Sequence, residues 1–408
     1  MTAREGSILD RSSIAEDGFV YEALLVELPC VAVREMLAGP ADINGLATLE
    51  GVQFILPQTI GQAIPDGRDA AGDDRAVEGA FDPNAPIRAA LLDGTPVAAH
   101  RSLEGGVVIE DMHDLVRLSP VVQRYHATAM ASLILRGDLQ ADGTPLTDTR
   151  LISVPVLIDQ EDGAETARNR LFVDVVHTTL MRLIGTDEPA APDVFVVNFS
   201  IGVRDSHFSG RISALARLMD WWAAKEGLLF VISAGNVGHL ALPGTTLMDF
   251  ENAAIAARRA TVRRAMRDGI FNRTLLAPAE SLNGLTVGAL SLDHVNHVPP
   301  QDASILKLEE DDEFVPQMTS ALGLTGLPPV YKARSPRSGR LPGSARHAAR
   351  DGCQVAGLAA IKPYRIDRCL TARGGCDAKI PRDEPCGCLG DPFAIARRRS
   401  AHRRRRAL

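Results

Sequence analysis

From Ile87 onward the chain alternates short segments that are apolar on both faces with longer segments that are apolar on one face only. The first kind are IRAALLD ending at Asp93, DVFVVNFSIG from Asp193, LLFVISAGN from Leu228 and GLTVGAL from Gly284. Strands apolar on both sides suit a parallel sheet covered on both faces. The second kind carry helical periodicity: HATAMASLIL from His126, LFVDVVHTTLMRLI over 171–184, ISALARLMDWWAAKEG ending at Gly227, and AAIAARRATVRRAMRDG ending at Gly269. Strand–helix alternation of this kind predicts an α/β fold, a parallel sheet flanked by helices.

Ahead of this region, residues 1–86 predict a small N-terminal α/β unit and a linker. YEALLVELP reads as a strand, VAVREMLAG as a helix stopped by Gly39, and GVQFILP as a second strand. Gly61 to Pro86 is rich in Asp, Gly, Ala and Pro without periodicity, which reads as the linker. With 408 residues, 45% of them apolar, the chain can bury a sizeable core, which excludes a disulfide-stapled miniprotein.

The formal charge of -7 hides a break. From Arg334 to the end there are 18 Lys and Arg against 6 Asp and Glu, so the acidic excess belongs to the residues before it. Cysteine divides the same way: Cys30 stands alone, while Cys353, Cys369, Cys376, Cys386 and Cys388 crowd the last stretch. The first three hundred residues thus read as reducing and cytoplasmic. No basic, then apolar leader opens the chain, and no apolar run approaches the ~18 residues of a membrane span, so neither export nor a membrane anchor is expected.

In parallel sheets, ligand-binding and catalytic groups collect at the carboxyl ends of strands. Three polar clusters fall there: Asp93-Gly94, Ser200-Ile201-Gly202, and Ser233-Ala234-Gly235-Asn236. Together with His126 they make acyl-transfer equipment. A carboxylate can hold an imidazole in one tautomer, the imidazole can take a proton from a nucleophile, and an amide donor can stabilise a tetrahedral oxyanion. Alone, each piece has a plainer reading, an Asp after a strand as a turn residue and a His opening a helix as a cap.

In order and context, these residues resemble the subtilisin-like serine proteases, the subtilases. ALLDG matches the Asp that ends the family's first core strand, HATAMAS its His-bearing helix, and VISAGN its oxyanion strand. VVNFSIG resembles the substrate-lining strand, and AESLNGLTVGAL the strand ending V-G-A. The resemblance covers 87–325 and implies that Asp93 orients the imidazole, His126 acts as general base and Asn236 donates to the oxyanion. It implies further that Ser200, Ile201, Gly202, Ser233, Ala234 and Gly235 form facing walls of a pocket for an extended peptide, with no metal or cofactor. Two positions depart from the family pattern: D-[ST]-G is Asp93-Gly94-Thr95 here, and the Gly after the His is Ala127.

The family's nucleophile motif, G-T-S-x-A, does not occur in the chain as written. Ser320, in MTSA, lacks the leading Gly and precedes no apolar helix, so it reads as a loop serine. The missing segments are recoverable in another frame. GLPPVYKARSPRSG, 326–339, can be encoded so that dropping one base yields GYRPSIKPDLLAP, with the family's I-K-P-D. With permitted codons chosen in the same way, that shift also reads RDEPCG, 382–387, as GTSPA. The expected organisation is therefore a subtilase catalytic domain over 87–326, missing its C-terminal part, followed by an off-frame basic tail over 327–408.

On this reading the tail's cysteines, which lack C-x2-C pairing, bind no zinc, and its Arg runs serve no specific nucleic acid. His294 and His297 read as exposed loop without a third ligand, and the acidic run Glu309 to Glu313 as solvated loop. The expected function is a serine endopeptidase by family, with a peptide or protein substrate, defective as written because the Ser segment is absent. The alternative is a non-catalytic peptide-binding pseudoprotease. A nucleotide-binding domain is disfavoured because no phosphate-cradling Gly loop follows any strand.

Overall fold

The computed structural model describes residues 6–38, 54–63, 79–137, 148–238, 240–291 and 315–323. All of them lie in the unit Met1–Gly357. The tail 327–408, with its cysteines and Arg runs, lies outside the described residues, as do His294, His297 and the acidic run 309–313.

The strands are β1 (Ser7–Glu16), β2 (Phe19–Glu27), β3 (Gly61–Ala63), β4 (Ile87–Asp93), β5 (Val107–Ile109), β6 (Arg150–Pro155), β7 (Ile158–Gln160), β8 (Gly163–Glu165), β9 (Val196–Phe199), β10 (Gly202–Val203), β11 (Leu229–Ser233), β12 (Leu285–Val287), β13 (Leu290–Ser291) and β14 (Val315–Pro316). The helices are α1 (Cys30–Ala38), α2 (Tyr125–Arg136), α3 (Phe172–Leu180), α4 (Ala214–Glu226), α5 (Leu247–Asn252) and α6 (Ile255–Asp268).

Six strands form one parallel sheet in the order β12-β11-β9-β4-β6-β5. Alternate residues of β4 show why it is apolar throughout. Ala90 and Leu92 join a core containing Phe172 and Val176 of α3 and Leu218 and Trp222 of α4, while Leu91 packs with Ala131 and Leu135 of α2. Helices cover both faces, as the α/β expectation requires. From β4 the chain runs out to β5, returns to β6, and crosses to β9 on the other side of β4 before continuing to β11 and β12. Connections thus leave β4 and β9 in opposite directions, which opens a crevice at their carboxyl ends.

The ends of α4 follow its sequence: the Ser213 hydroxyl accepts the Ala216 amide at 3.1 Å, and Gly227 closes the helix at φ +70°. At its N-terminus, α3 borrows its cap from β1, where Asp10 Oδ2 accepts the Leu171 amide at 2.7 Å.

One strand is additional to the sequence expectations, and two expectations differ. β1 and β2 form an antiparallel hairpin turned by Asp17-Gly18, with Gly18 at φ +90°. Ile14 and Phe19 of this hairpin enter the same core as the sheet, and the Trp221 indole donates to the Asp17 carbonyl at 2.9 Å. Residues 54–57, expected within a strand, have no strand partner among the described residues, and Phe54, Ile55 and Leu56 are exposed. Finally, Gly61–Ala63, expected in a linker, are the second strand of an antiparallel sheet ordered β10-β3-β8-β7.

Candidate active site

Strand β4 carries Asp93 to the carboxyl edge of the sheet, and α2 begins beside it with His126 in its first turn. The Asp93 carboxylate is fully buried and meets His126 Nδ1 through both oxygens, at 2.9 and 2.8 Å. Asp93 Oδ1 also accepts the Gly94 amide at 2.6 Å, which fixes the carboxylate against the strand end. The imidazole retains 17% side-chain exposure, enough to reach the crevice. This is the arrangement in which a carboxylate sets the tautomer and orientation of a base. Ala127 is fully buried within α2, so its methyl group packs inward.

A second carboxylate, which sequence reading passed over, lies behind the first. Asp159 of β7 is 1% exposed and accepts the Thr95 amide at 2.8 Å. Burial pushes its carboxyl up to about 6; the Asp93 charge adds to this, and the Thr95 amide, Ser119 and Arg124 oppose it. Among the described residues, its Oδ1 has no hydrogen-bond partner. The signal was present in the sequence, since Asp159 ends the apolar run VPVLI as Asp93 ends IRAALL.

Ser200, Ile201 and Gly202 follow β9, and Ser233, Ala234, Gly235 and Asn236 follow β11, as neighbours across the sheet. Ser200 Oγ donates to Asn198 Oδ1 at 3.0 Å, Ile201 is fully buried, and Ser233 Oγ accepts the Gly235 amide at 3.2 Å. Gly202 and Gly235 are neighbours, such that a Cβ on Gly202 would be in ordinary contact, 3.5 Å from the Gly235 Cα. The Leu276 side chain lies against both, within 2.7 Å of where a Gly235 Cβ would be. Leu276 was not singled out from sequence, and the Ala234 carbonyl holds it by accepting its amide at 3.0 Å. Asn236 is exposed, with its backbone bridged to Ser320.

Ser320, read as a loop serine, lies outside the named helices and strands and is 3% exposed. Its hydroxyl accepts the Ala289 amide at 3.2 Å and donates to the Ala321 carbonyl at 3.1 Å. Among the described residues, no group of three His, Cys, Asp or Glu could hold a metal ion. None of the described helices is long and apolar enough to cross a membrane.

No protein-family model matches the chain, and no curated protein matches it. Among solved structures it is similar to the patellamide maturation protease PatA, at 19% identity over 59% of this chain and 62% of that one, with a TM-score of 0.32. It is similar also to a cold-adapted subtilisin-like serine proteinase, at 18% identity over 53% and 58%, TM-score 0.27. A third is the MycP3 protease of the type VII secretion system, at 14% identity over 57% and 62%, TM-score 0.29. The chain spans less than two thirds of the length of each of these structures.

Proposed function

We propose that this chain is a serine endopeptidase of the subtilisin-like class by descent, carrying the acid–base half of the site while its nucleophile segment lies in a neighbouring reading frame. The observation that carries this reading is the buried Asp93 carboxylate held by both oxygens to His126 Nδ1, at the sheet crevice. In the reaction, Asp93 holds the imidazole, His126 takes the proton from a serine hydroxyl as that oxygen attacks the peptide carbonyl, and Asn236 donates to the oxyanion. The serine is the one in the shifted reading GTSPA. Ser320 does not serve, because its hydroxyl is already engaged by Ala289 and Ala321.

On this reading Gly202 and Gly235 line the cleft beside the scissile bond, and Leu276, packed against both, leaves room there for a small side chain only. As written, the chain hydrolyses peptides far below a complete relative. In subtilisin, loss of the nucleophile alone costs roughly 10^6 in kcat.

The test is covalent labelling by a fluorophosphonate probe. A chain with the frame restored after Thr325 is expected to label, the same chain with His126→Ala to lose labelling, and the chain as written not to label. Equal labelling of the written chain, or none of the restored one despite folding, overturns the proposal.

A second reading, peptide binding without turnover, is favoured by one observation. Strand β3 is extended backbone seated between β8 and β10, the latter formed by residues next to Ser200 and Ile201. The groove therefore accommodates an extended peptide.

A further inference from the structure

The occupant of this groove is read by side chains as well as by backbone. Gln62 is the middle residue of β3 and lies opposite Glu165 of β8 on one side and Gly202 of β10 on the other. Backbone bonds frame it, with the Thr166 amide donating to the Gly61 carbonyl at 3.1 Å and the Arg204 amide to the Ile60 carbonyl at 2.9 Å. Its own amide is gripped at both ends. Arg204 Nε donates to Gln62 Oε1 at 2.8 Å, and Gln62 Nε2 donates to Glu165 Oε2 at 3.4 Å.

The two reading groups are themselves fixed. Glu165, with its side chain only 10% exposed, pairs with Arg168 at 2.9 Å and with Arg204 at 3.3 Å. An acceptor and a donor held side by side match a primary amide. A carboxylate in its position would meet Glu165 as well as Arg204, an ammonium would meet Arg204 and Arg168 as well as Glu165, and an apolar side chain would forgo both bonds while Glu165 and Arg204 stay paired with each other. Beside this cluster is a cavity of about 200 Å³ lined by Gln62 itself and by Gln160 and Asp162, so its surroundings are polar.

The flanking positions are read by shape. A Cβ on Gly61 would lie 2.5 Å from Phe172 Cε1 and 3.0 Å from Ile201 Cγ2, both on buried residues, so the register admits only glycine there. Ala63 is 2% exposed and enters the main core, which suits a small apolar residue.

We propose that Glu165 and Arg204 are specificity determinants that select an extended peptide with a primary amide side chain, preceded by glycine and followed by a small residue. In this structure the chain's own Gly61-Gln62-Ala63 segment is the intramolecular occupant. The proposal rests on the groove being the peptide site. Because a tethered strand competes at a high effective concentration, a free peptide of the same sequence binds the wild-type chain only weakly.

The test uses the full chain carrying Gly61→Ala, which expels β3 by collision with Phe172, its folding verified by circular dichroism. A fluorescent peptide QTIGQAI is expected to bind this variant. Replacing its second Gln by Leu or Glu weakens binding by ~10-fold or more, the loss of about one to two hydrogen bonds to charged groups. Adding Arg204→Ala with Glu165→Gln is expected to abolish the discrimination while leaving backbone-driven binding. A Leu peptide binding as tightly as the Gln peptide overturns this proposal alone. Failure of every peptide to bind, with β3 displaced, overturns the groove reading as well.

A second measurement avoids the glycine variant. In the otherwise unchanged chain, hydrogen exchange at residues 60–63 is expected to accelerate about 10-fold in Gln62→Leu and in Arg204→Ala. Unchanged protection in both variants contradicts the proposal.

Discussion

The Asp159 carboxylate packs directly on Gly94, the residue after Asp93: a Cβ at Gly94 would stand 2.8 Å from the Asp159 Cγ. A side chain at this turn and a buried carboxylate behind it exclude each other. The Asp-Gly-Thr order, which departs from the D-[ST]-G of the resembled family, has this physical cause.

Gly94→Ala is therefore expected to destabilise the chain by about 1–3 kcal/mol through overpacking. Asp159→Ala removes the obstacle, so a double-mutant cycle by urea denaturation gives a favourable coupling of at least ~1 kcal/mol. Strict additivity of the two changes would show that the contact does not set the residue choice.

Asp159 also confers a pH dependence. Its carboxyl is raised from 3.8 to about 6 by burial, so the fold prefers the neutral acid. In this window the folded chain binds more protons than the unfolded one, and its stability falls as pH rises. The contribution is present in full below the ordinary carboxyl range and is lost by the time pH has passed about 6. It amounts to on the order of 3 kcal/mol. Asp159→Asn is expected to flatten that part of the wild-type curve between these limits; identical pH dependence in both proteins would contradict the assignment.

The hairpin is part of the main core. Phe19 is 2% exposed and stacks at 6.1 Å from Trp221, which also binds the turn through Asp17. Phe19→Ala is expected to cost about 3–5 kcal/mol and to lower the melting of the whole sheet as one transition. A change confined to a separate, low-temperature transition would make the hairpin an independent unit.

On the proposed reading, Leu276, whose side chain lies against Gly202 and Gly235, limits the space for the residue before the scissile bond. In a frame-restored chain, Leu276→Ala is expected to shift kcat/KM towards substrates with a larger residue before the scissile bond, by ~10-fold or more per pair compared. A panel of chromogenic peptides checks this, and an unchanged preference would move the specificity pocket elsewhere.

Much of the sheet was legible because its strands are buried on both faces and so read as unbroken apolar runs, with β4 ending at Asp93 as expected. β6 escaped although Leu151 to Leu157 is almost wholly apolar, because Pro155 interrupts the run. β3 and β8 are three residues each and glycine-containing, so no local pattern marks them. Their pairing is decided by tertiary contacts such as Gly61 against Phe172. The hairpin could have been found from Asp17-Gly18, a two-residue turn signal, but β1 buries only Ser12 and Ile14 and shows weak alternation. In the site, the strand-end rule singled out Asp93, and the same rule applied to VPVLID would have found Asp159. Leu276 has no such mark, since it works by filling space.

The measurement that tests the central claim most directly is to sequence the coding DNA from the codon for Thr325 to the end and read all three frames. One shifted frame is expected to run without a stop through I-K-P-D to a G-T-S motif, supplying the serine for the Asp93–His126 pair. If no frame carries both motifs, the claim of a displaced nucleophile is contradicted, and peptide binding without hydrolysis becomes the function of the groove.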